Sequence, residues 1–418
     1  MNLLLKSATI MDAQSEHHEK KRDLLITNGI IEKIATTIKN PDNRKEITVN
    51  NLHISQGWFD ASVSFGEPGF EERETIENGL KTAAHSGFTA AALNANTNPV
   101  IDSKADIKYV LSKAKGNAVK LYPIGALTKN GNGIDLAELY DMHNAGAIAF
   151  YDYQQPVANP NLLKIALQYT QSFNGLTIAF SNDENISKNG VANEEVAATK
   201  LGLKGIPALA EELQIARNLF LLEYTGGKLH IPTISTEKSV TLIREAKKKG
   251  LAVSCSVSIN NLLLNDEALE SYNSNLKLLP PLRTKRDQKA LLKGLKDGTI
   301  DGVTSDHNPI DVEHKKMEFD HAMFGSIGLE SCFGALRSVV STTEAVTFLT
   351  RLKNTFGISN TPIAEGSKAN ITLFNPDFEW TFTENEIVSS SKNAALLGKK
   401  LKGKAYGIYV NKKLIINT

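Results

Sequence analysis

Polar side chains follow several apolar segments of strand length in this chain. Asp152 and Asp306 each come directly after such a segment, and Asn96 follows a third one. Carboxylates at such positions can act as general acids or bases. They can also bind a hard cation such as Mg²⁺, which prefers oxygen ligands. These three residues could therefore form one polar site, provided that the fold brings the ends of the apolar segments together.

The histidines and cysteines do not supply the clusters that other catalytic chemistry requires. The chain has nine histidines, and no His-x-His or His-Glu-x-x-His pair occurs among them. His307, beside Asp306, is predicted to be a packing or hydrogen-bonding residue, and no Ser-His-Asp or Cys-His arrangement is evident. Cys255 and Cys332 are too few for a disulfide framework or a zinc knuckle, so both are predicted core residues. The glycine-rich segment 129–133 lacks a phosphate-loop lysine and is predicted to be a turn.

Composition excludes several broad classes of protein. The 418 residues carry 47 Lys+Arg and 46 Asp+Glu, a net charge of +1, which argues against a strongly basic nucleic-acid binder. A hydrophobic content of 41% with 13 Pro and 29 Gly excludes a disordered chain. The apolar run at residues 3–5 is too short for a signal peptide, and no segment approaches the length of a membrane span. We therefore expect a cytoplasmic protein without a nucleic-acid or membrane partner.

The apolar pattern of the middle of the chain predicts the scaffold for these polar positions. Strand-length apolar segments alternate with helical patterns, several of which end at a glycine. The predicted strands are 52–59, 89–93, 120–124, 147–151, 176–180, 228–232, 252–257 and 302–305. The predicted helices are 75–85, 103–114, 136–144, 162–172, 207–225, 237–249 and 286–296. Eight buried strands alternating with helices predict an α/β protein with a (β/α)₈ barrel over residues 54–356, and chemistry in such barrels lies at the carboxyl ends of the strands.

The two ends of the chain share a different, all-β pattern. Short strands separated by turns are predicted in residues 1–53, where Asn28-Gly29 is a hairpin signal, and again in residues 357–418. Neither end is long enough to bury a core alone. We therefore expect the two ends to pair in one small β-sandwich domain.

The order of the motifs resembles the dihydroorotases, a branch of the cyclic amidohydrolases, over essentially the whole chain. The frame from Asp60 to Gly69 matches the family's first-strand motif, Asp-x-His-x-His-x-Arg-Glu-Pro-Gly. Further blocks that resemble the family follow in its order, at residues 81–89, 280–283, 297–301, 306–309, 325–330 and 391–393. The resemblance implies an amidohydrolase-type barrel and a place in pyrimidine biosynthesis.

The resemblance also implies a site for one or two zinc ions, which would activate a water for attack on an amide carbonyl. The positions of the four imidazole ligands of the family hold other side chains here, namely Ser62, Ser64, Phe180 and Thr233. Asp152 takes the position of the metal-bridging aspartate, and Asp306 takes that of the general base. Since hydroxyl groups and a phenyl ring do not form a zinc site, we expect no metal at these six positions and no other cofactor.

The positions that contact substrate in the family are mostly replaced as well. Gly66 stands where an arginine would bind the substrate carboxylate through two parallel hydrogen bonds, and glycine has no charged donor to offer. Leu279 and Ile310 stand at the positions of an asparagine and a histidine. Asn96 alone matches its counterpart.

These substitutions predict a dihydroorotase-like pseudoenzyme, in which Asp306 is a vestigial general base. Because dihydroorotase and aspartate carbamoyltransferase chains assemble together, the resemblance suggests a structural or regulatory partner of aspartate carbamoyltransferase. A homodimer is the ordinary expectation for the family, as for soluble proteins generally. Two alternatives remain open. One is a hydrolase of cyclic amides with an altered or residual metal site around Asp306, Asn96 and Asp152, and the other is a small-molecule binding module in the vestigial pocket.

Overall fold

The computed structural model describes residues 2–40 and 43–417. The strands are β1 Leu3–Ile10, β2 Lys21–Thr27, β3 Ile30–Ala35, β4 Lys45–Ile47, β5 His53–Gln56, β6 Trp58–Val63, β7 Phe88–Leu93, β8 Lys120–Gly125, β9 Ala149–Phe150, β10 Thr177–Ile178, β11 Ala192–Asn193, β12 Gly205–Ile206, β13 Leu229–Ile231, β14 Val253–Ser258, β15 Gly302–Thr304, β16 Ile371–Thr381, β17 Lys400–Val410 and β18 Lys413–Ile416. The helices are α1 Ile76–His85, α2 Lys104–Ala114, α3 Leu139–Ala145, α4 Pro160–Thr170, α5 Glu184–Ser187, α6 Val196–Leu201, α7 Ala208–Thr225, α8 Glu237–Lys248, α9 Ile259–Leu263, α10 Lys285–Lys296, α11 Val312–Lys315, α12 Leu329–Arg337, α13 Thr342–Thr350 and α14 Leu352–Thr355.

Eight parallel strands form the barrel that the sequence predicts. Their order is β6-β7-β8-β9-β10-β13-β14-β15, which is also their order along the chain. The two outer strands meet through a parallel bridge between Val63 and His307, and the Ser64 amide donates to the His307 carbonyl at 2.7 Å. The prediction of a (β/α)₈ barrel is therefore confirmed.

The barrel has separate apolar cores inside and outside its strands. Alternate residues of each strand face opposite sides. The inner core includes Phe59, Ile124, Tyr151, Ile178 and Phe180. A larger core lies between the strands and the surrounding helices. The inside of the barrel is thus filled by side chains, as in other barrels of eight strands.

The first predicted strand, residues 52–59, is two strands in the structure. Residues 53–56 form β5, which pairs with β1 and β16, and the barrel strand β6 begins only at Trp58. Gly57 separates them and donates its amide to the Asn370 carbonyl. A Cβ atom at Gly57 would lie 2.1 Å from Asn370 Oδ1 and from Thr89 Oγ1, so a larger residue at the change of sheet would have to displace these side chains.

Both ends of the chain contribute to a second sheet beside the barrel. Its strand order is β18-β17-β16-β5-β1-β2-β3, with β4 paired to β1. The apolar residues of this sheet form their own core, which includes Leu3, Leu24, Ile54, Ile371 and Tyr409. The prediction that the two chain ends pair with each other is therefore confirmed, and they do so in one sheet, whereas a β-sandwich was predicted.

Two further observations concern the whole described chain. Cys255 and Cys332 are both unpaired and buried, so each is a core residue, as predicted. Among residues 2–40 and 43–417, we find no helix with the length and apolar character needed to cross a membrane.

Candidate functional site

The carboxyl ends of the barrel strands place Asp60, Ser62 and Ser64 at the mouth of the barrel. Asp60 is fully buried, and it accepts hydrogen bonds from the Ser62 amide at 3.1 Å and the Ser305 amide at 3.0 Å. Its third donor is the Thr304 hydroxyl. Burial raises the pKa of Asp60, against the effect of these donors. Asp60 therefore ties the first barrel strand to the last, a structural role that sequence reasoning missed.

The hydroxyl groups of Ser62 and Ser64 share one donor, the side-chain amide of Asn94. Asn94 Nδ2 lies 3.1 Å from Ser62 Oγ and 3.2 Å from Ser64 Oγ. All three side chains are buried. Since an N–H group points at both oxygen atoms, a cation between them would have to displace the amide. Asn94 was not among the predicted site residues, although its place directly after β7 is the signal that could have identified it.

Phe180 and Thr233 stand at the other two positions where the resemblance implies imidazole ligands. Phe180 is 3% exposed and belongs to the apolar core inside the barrel. Thr233 has a φ of 46°, in the left-handed region that β-branched residues avoid, and its amide donates to Ser256 Oγ at 3.2 Å. A phenyl ring in an apolar cluster and a threonine on a constrained backbone supply no nitrogen donor for zinc.

Asp152 is directed away from the other strand-end carboxylates, toward the loop that follows β8. Its Oδ1 accepts from the Leu127 and Thr128 amides at 2.8 and 3.0 Å, and its Oδ2 accepts from Thr128 Oγ1 at 2.6 Å. Burial raises the pKa of this carboxyl despite these donors. Both carboxyl oxygen atoms of Asp152 therefore accept hydrogen bonds from this loop, which the side chain caps.

Asp306 lies at the mouth of the barrel, where its carboxyl group faces the Tyr153 hydroxyl. Its φ is 50°, and its amide lies 3.2 Å from Thr304 Oγ1. The Tyr153 hydroxyl faces both Asp306 and Ser64, and in the described chain it has no partner at full hydrogen-bond geometry. Burial, reinforced by the charge of Asp60, raises the pKa of Asp306 to about 7. Tyr153, which directly follows Asp152, is a second member of this site that sequence reasoning missed.

The positions of the implied substrate contacts are closed or apolar. A Cβ atom on Gly66 would lie 1.8 Å from the Phe70 carbonyl oxygen, so the loop leaves no space for any side chain there. Ile310 is buried, with its amide donating to Asn393 Oδ1 at 3.1 Å, and Leu279 packs against the apolar core inside the barrel. Asn96 is partly buried, and its Oδ1 has no hydrogen-bond partner among the described residues.

Two histidines near the site are held as neutral structural groups. His230 lies between Ser254 Oγ at 2.9 Å and Ser256 Oγ at 3.2 Å, and burial lowers its pKa to about 3. His307 accepts at Nδ1 from the Gly328 amide at 3.2 Å, and burial lowers its pKa to about 3 as well. The arrangement of His307 agrees with the packing or hydrogen-bonding role that the sequence suggests for it.

The side chains present do not fit the zinc site that the resemblance implies. Zinc sites in proteins use sulfur, imidazole nitrogen and carboxylate ligands, usually four. Of the six aligned positions, two hydroxyls are bound by Asn94, one is a phenyl ring, and Asp152 faces another loop. Within residues 2–40 and 43–417, no three His, Cys, Asp or Glu side chains are arranged to hold a metal ion.

A groove of about 840 Å³ lies beside the barrel mouth. It runs between residues 310–316 and the segment 384–393. Of the site positions predicted from the sequence, Ile310 lines this groove. The strand-end positions lie outside its lining. The groove therefore shares Ile310 with the site predicted from the sequence.

Comparisons with known proteins agree with this architecture. Residues 53–239 match the sequence family described as Dihydro-orotase-like. The chain is 38% identical over 413 residues to a dihydroorotase of Caldanaerobacter subterraneus subsp. tengcongensis, covering 96% of this chain and 94% of that protein. It is 38% identical over 423 residues to a dihydroorotase of Pelotomaculum thermopropionicum, covering 100% and 99%. The chain belongs to the dihydroorotase family.

Solved structures show that the fold extends beyond the dihydroorotase family. The L-hydantoinase (dihydropyrimidinase) of Arthrobacter aurescens superposes with a TM-score of 0.85 at 18% identity, covering 99% of this chain and 96% of that one. A D-hydantoinase superposes with a TM-score of 0.81 at 20% identity, covering 100% and 95%. At these identities the likeness concerns the fold alone. This dihydroorotase homologue thus shares the fold of the hydantoinases over nearly its whole length.

Proposed function

We propose that this protein is a non-catalytic dihydroorotase homologue, which acts in the cytoplasm as a structural or regulatory partner of aspartate carbamoyltransferase. One observation carries the proposal: the Asn94 amide occupies both Ser62 and Ser64, where the family resemblance implies imidazole ligands. The burial of Phe180 in the apolar core supports the same conclusion, because an aromatic ring fills the space that a ligand would use.

Hydrolysis of a cyclic amide needs an activated water and a means of binding the substrate. Asp306 could accept a proton, but its neighbours offer no cation to lower the pKa of a water molecule. Gly66 provides no positive charge for an anionic substrate, and the Phe70 carbonyl excludes any larger residue. The nearby carboxyl groups of Asp60, which is buried, and Asp306, which is partly exposed, offer an anionic substrate no positive charge either. These features favour a protein that retains the fold without the reaction.

The catalytic part of the proposal is tested by metal content and turnover of the purified chain. We expect less than stoichiometric zinc by elemental analysis and no hydrolysis of dihydroorotate, with or without added zinc. Stoichiometric zinc together with turnover that Asp306→Ala abolishes would contradict the proposal. Glu71→Ala is a matched control, because Glu71 is an exposed carboxylate on the loop after β6.

The partner part of the proposal is tested by mixing the chain with aspartate carbamoyltransferase from the same organism. We expect the two chains to elute together in size-exclusion chromatography with light scattering, at a mass above that of either alone. Separate elution over the accessible concentration range would refute the partnership. It would leave the absence of catalysis untouched, so the two parts can fail independently.

One observation favours a second candidate, a hydrolase of cyclic amides with altered chemistry. The pKa of Asp306 is raised to about 7 and the Tyr153 hydroxyl faces it, which places a proton acceptor and a hydroxyl group side by side. Metal-independent turnover that is lost in both Asp306→Asn and Tyr153→Phe would establish this function. The structure gives no comparable support to a metal site, since Asp152 is bound elsewhere.

A further inference from the structure

Helices α8 and α10 lie side by side on the outside of the barrel, with a groove of about 450 Å³ between them. The Glu237 amide, at the start of α8, donates to Asp287 Oδ1 of α10 at 2.9 Å. Farther along the pair, a Cβ atom on Gly294 would lie 2.8 Å from Val240 Cγ1, so the two helices are in contact there as well. These contacts join the two helices into one surface, which we call the α8–α10 groove.

Positive charge is concentrated in the α8–α10 groove. Of the eight residues that line it, one is acidic and four are basic, namely Arg244, Arg286, Lys289 and Lys293. Residues 237–249 and 284–297, which contain both helices, carry ten Lys and Arg against four Asp and Glu, a net charge of +6. The whole chain has a net charge of only +1. A nearly neutral protein therefore has one strongly basic pair of helices.

The two arginines of the groove already bind carboxylates of this chain. Arg244 Nη2 lies 2.8 Å from Asp297 Oδ2 at one end of the groove, and the Arg286 guanidinium pairs with Glu237 at the other end. A guanidinium has five N–H donors, so each arginine can bind a further carboxylate through the donors that remain. The Arg286 side chain is 81% exposed, so a partner can reach it. Both ends of the groove are therefore suited to carboxylate ligands.

The middle of the groove contains two ammonium groups without a counter-charge. Lys285 and Lys296, near the two ends of α10, lie 2.7 and 3.3 Å from glutamate side chains. Lys289 and Lys293 lie between them and are exposed, and neither has an ion-pair partner within residues 2–40 and 43–417. A partner that carries negative charge would supply the counter-charge that these two lysines lack.

This distribution of charge does not stabilise α10 itself. Arg286, Lys289, Lys293 and Lys296 follow one another at intervals of three, four and three residues. Like charges at these intervals are neighbours on a helix surface and repel each other. Arg286 also lies in the first turn, where the helix dipole disfavours a positive charge. The basic stripe therefore opposes helix formation slightly, and binding of an anion explains it better.

The dimensions of the stripe fit a second helix. From Arg286 to Lys296 the stripe extends about 15 Å, or nearly three turns. Residues four apart on a helix are about 6 Å apart, so glutamates at this interval on a partner helix can face Lys289 and Lys293 together. Ala290 also lines the groove, and a small side chain there allows another helix to approach closely.

A nucleic acid fits the groove less well than an acidic helix. Its phosphates form a long, continuous track of negative charge, which basic side chains would have to follow beyond the groove. The ends of the groove instead carry the carboxylates of Glu237 and Asp297, and Glu245, next to Arg244, is exposed. These carboxylates would repel phosphates that extend past the groove. The charges therefore favour a short acidic segment of a protein.

We propose that the α8–α10 groove is a docking surface for an acidic helix of a partner protein, whose Asp and Glu side chains recur at intervals of three and four residues. Lys289 and Lys293 pair with the carboxylates at the centre of that helix, and Arg244 and Arg286 bind those at its ends. The proposal goes beyond the proposed function, since it holds whether or not the partner is aspartate carbamoyltransferase and whether or not the chain is catalytic.

Fluorescence anisotropy of a labelled peptide, titrated with the full chain, tests the proposal. The probe is an alanine-rich helical peptide of about 20 residues, with Glu at intervals of three and four residues. We expect the double variant Lys289→Glu/Lys293→Glu to raise the dissociation constant roughly tenfold or more, because two attractions become repulsions. Lys104→Glu/Lys108→Glu is the matched control and should leave the constant unchanged, since these lysines are also exposed and four residues apart, on helix α2. Circular dichroism should show that both double variants are folded.

Two further probes identify the chemistry of the ligand. The same peptide with Gln in place of Glu should not bind, and an oligonucleotide of equal charge should bind more weakly than the Glu peptide. Binding of the Glu peptide should weaken as the ionic strength rises. No binding of the Glu peptide, an equal loss in the two double variants, or tighter binding of the oligonucleotide would overturn the proposal. None of these results depends on co-elution with aspartate carbamoyltransferase, so this proposal and the proposed function can fail separately.

Discussion

Substitution of Phe180 by histidine tests whether the barrel mouth can still accept a metal ligand. In an intact amidohydrolase site an imidazole here would gain stability from zinc, whereas in this chain it would enter an apolar cluster. Phe180 is 3% exposed and packs with the core inside the barrel. Truncation of a buried Phe to Ala costs about 3–5 kcal/mol. Histidine keeps part of the ring, but each unpaired polar group costs about 1–3 kcal/mol. We therefore expect Phe180→His to lose about 3 kcal/mol of unfolding free energy.

The assay is unfolding in guanidinium chloride followed by tryptophan fluorescence, with and without zinc. Trp58 is buried in the first barrel strand and reports on the barrel. Phe180→Leu is the control for lost ring volume, and we expect it to cost about 1.5 kcal/mol or less. A functional site would return about 2.7 kcal/mol at a free zinc concentration of a hundred times the dissociation constant. We expect no such gain in Phe180→His. Recovery by zinc, or a variant as stable as the wild type, would refute the reasoning.

Three further predictions concern the same strand ends. Asn94→Ala removes the donor shared by two buried hydroxyls and should cost about 1–3 kcal/mol in the same unfolding assay, while Asn98→Ala, on an exposed neighbour, should cost almost nothing. Asp306 has a pKa of about 7 in the folded chain and near 3.8 when unfolded, so the unfolded state releases its proton first and stability falls as pH rises from about 4 to 7. Asp306→Asn should flatten this part of the pH–stability profile, and an unchanged slope would contradict the assignment. Gly66→Ala places a Cβ atom 1.8 Å from the Phe70 carbonyl oxygen and should lower the unfolding free energy by at least about 2 kcal/mol, so a midpoint equal to that of the wild type would disprove the closure of this loop.

The barrel could be predicted because each of its strands is a short apolar segment, which the local sequence pattern distinguishes from the helical segments on either side. The predicted strand 120–124 and the helix 75–85 agree with β8 and α1 to within one residue. The first strand was predicted as one because apolar residues recur along residues 52–59, at Leu52, Ile54, Trp58 and Phe59. The division at Gly57 depends on Asn370, more than 300 residues away, and only the tertiary fold brings the two together. Local pattern therefore predicts the elements, but not the point at which the chain changes sheet.

The site was less predictable, because its side chains are directed by partners in other loops. The sequence places Asp152 and Asp306 at strand ends, and both do lie there. The donors that turn Asp152 aside come from the loop after the preceding strand, at Leu127 and Thr128. Likewise, a strand-end asparagine does not reveal that it will bind two serines, so Asn94 was missed. The strand pattern predicts where each of these residues lies in the fold, whereas the orientation of its side chain depends on hydrogen bonds with distant segments.

The backbone at the barrel mouth explains how the fold can persist with these side chains. Thr233 and Asp306 both have a positive φ, a conformation that costs about 1–3 kcal/mol at residues other than glycine. Their amides are held by Ser256 and Thr304, which belong to the barrel strands themselves. Because protein donors and acceptors fix these turns, no metal ion is needed to hold them. The strand-end turns at Thr233 and Asp306 are therefore held by hydrogen bonds from within the barrel strands.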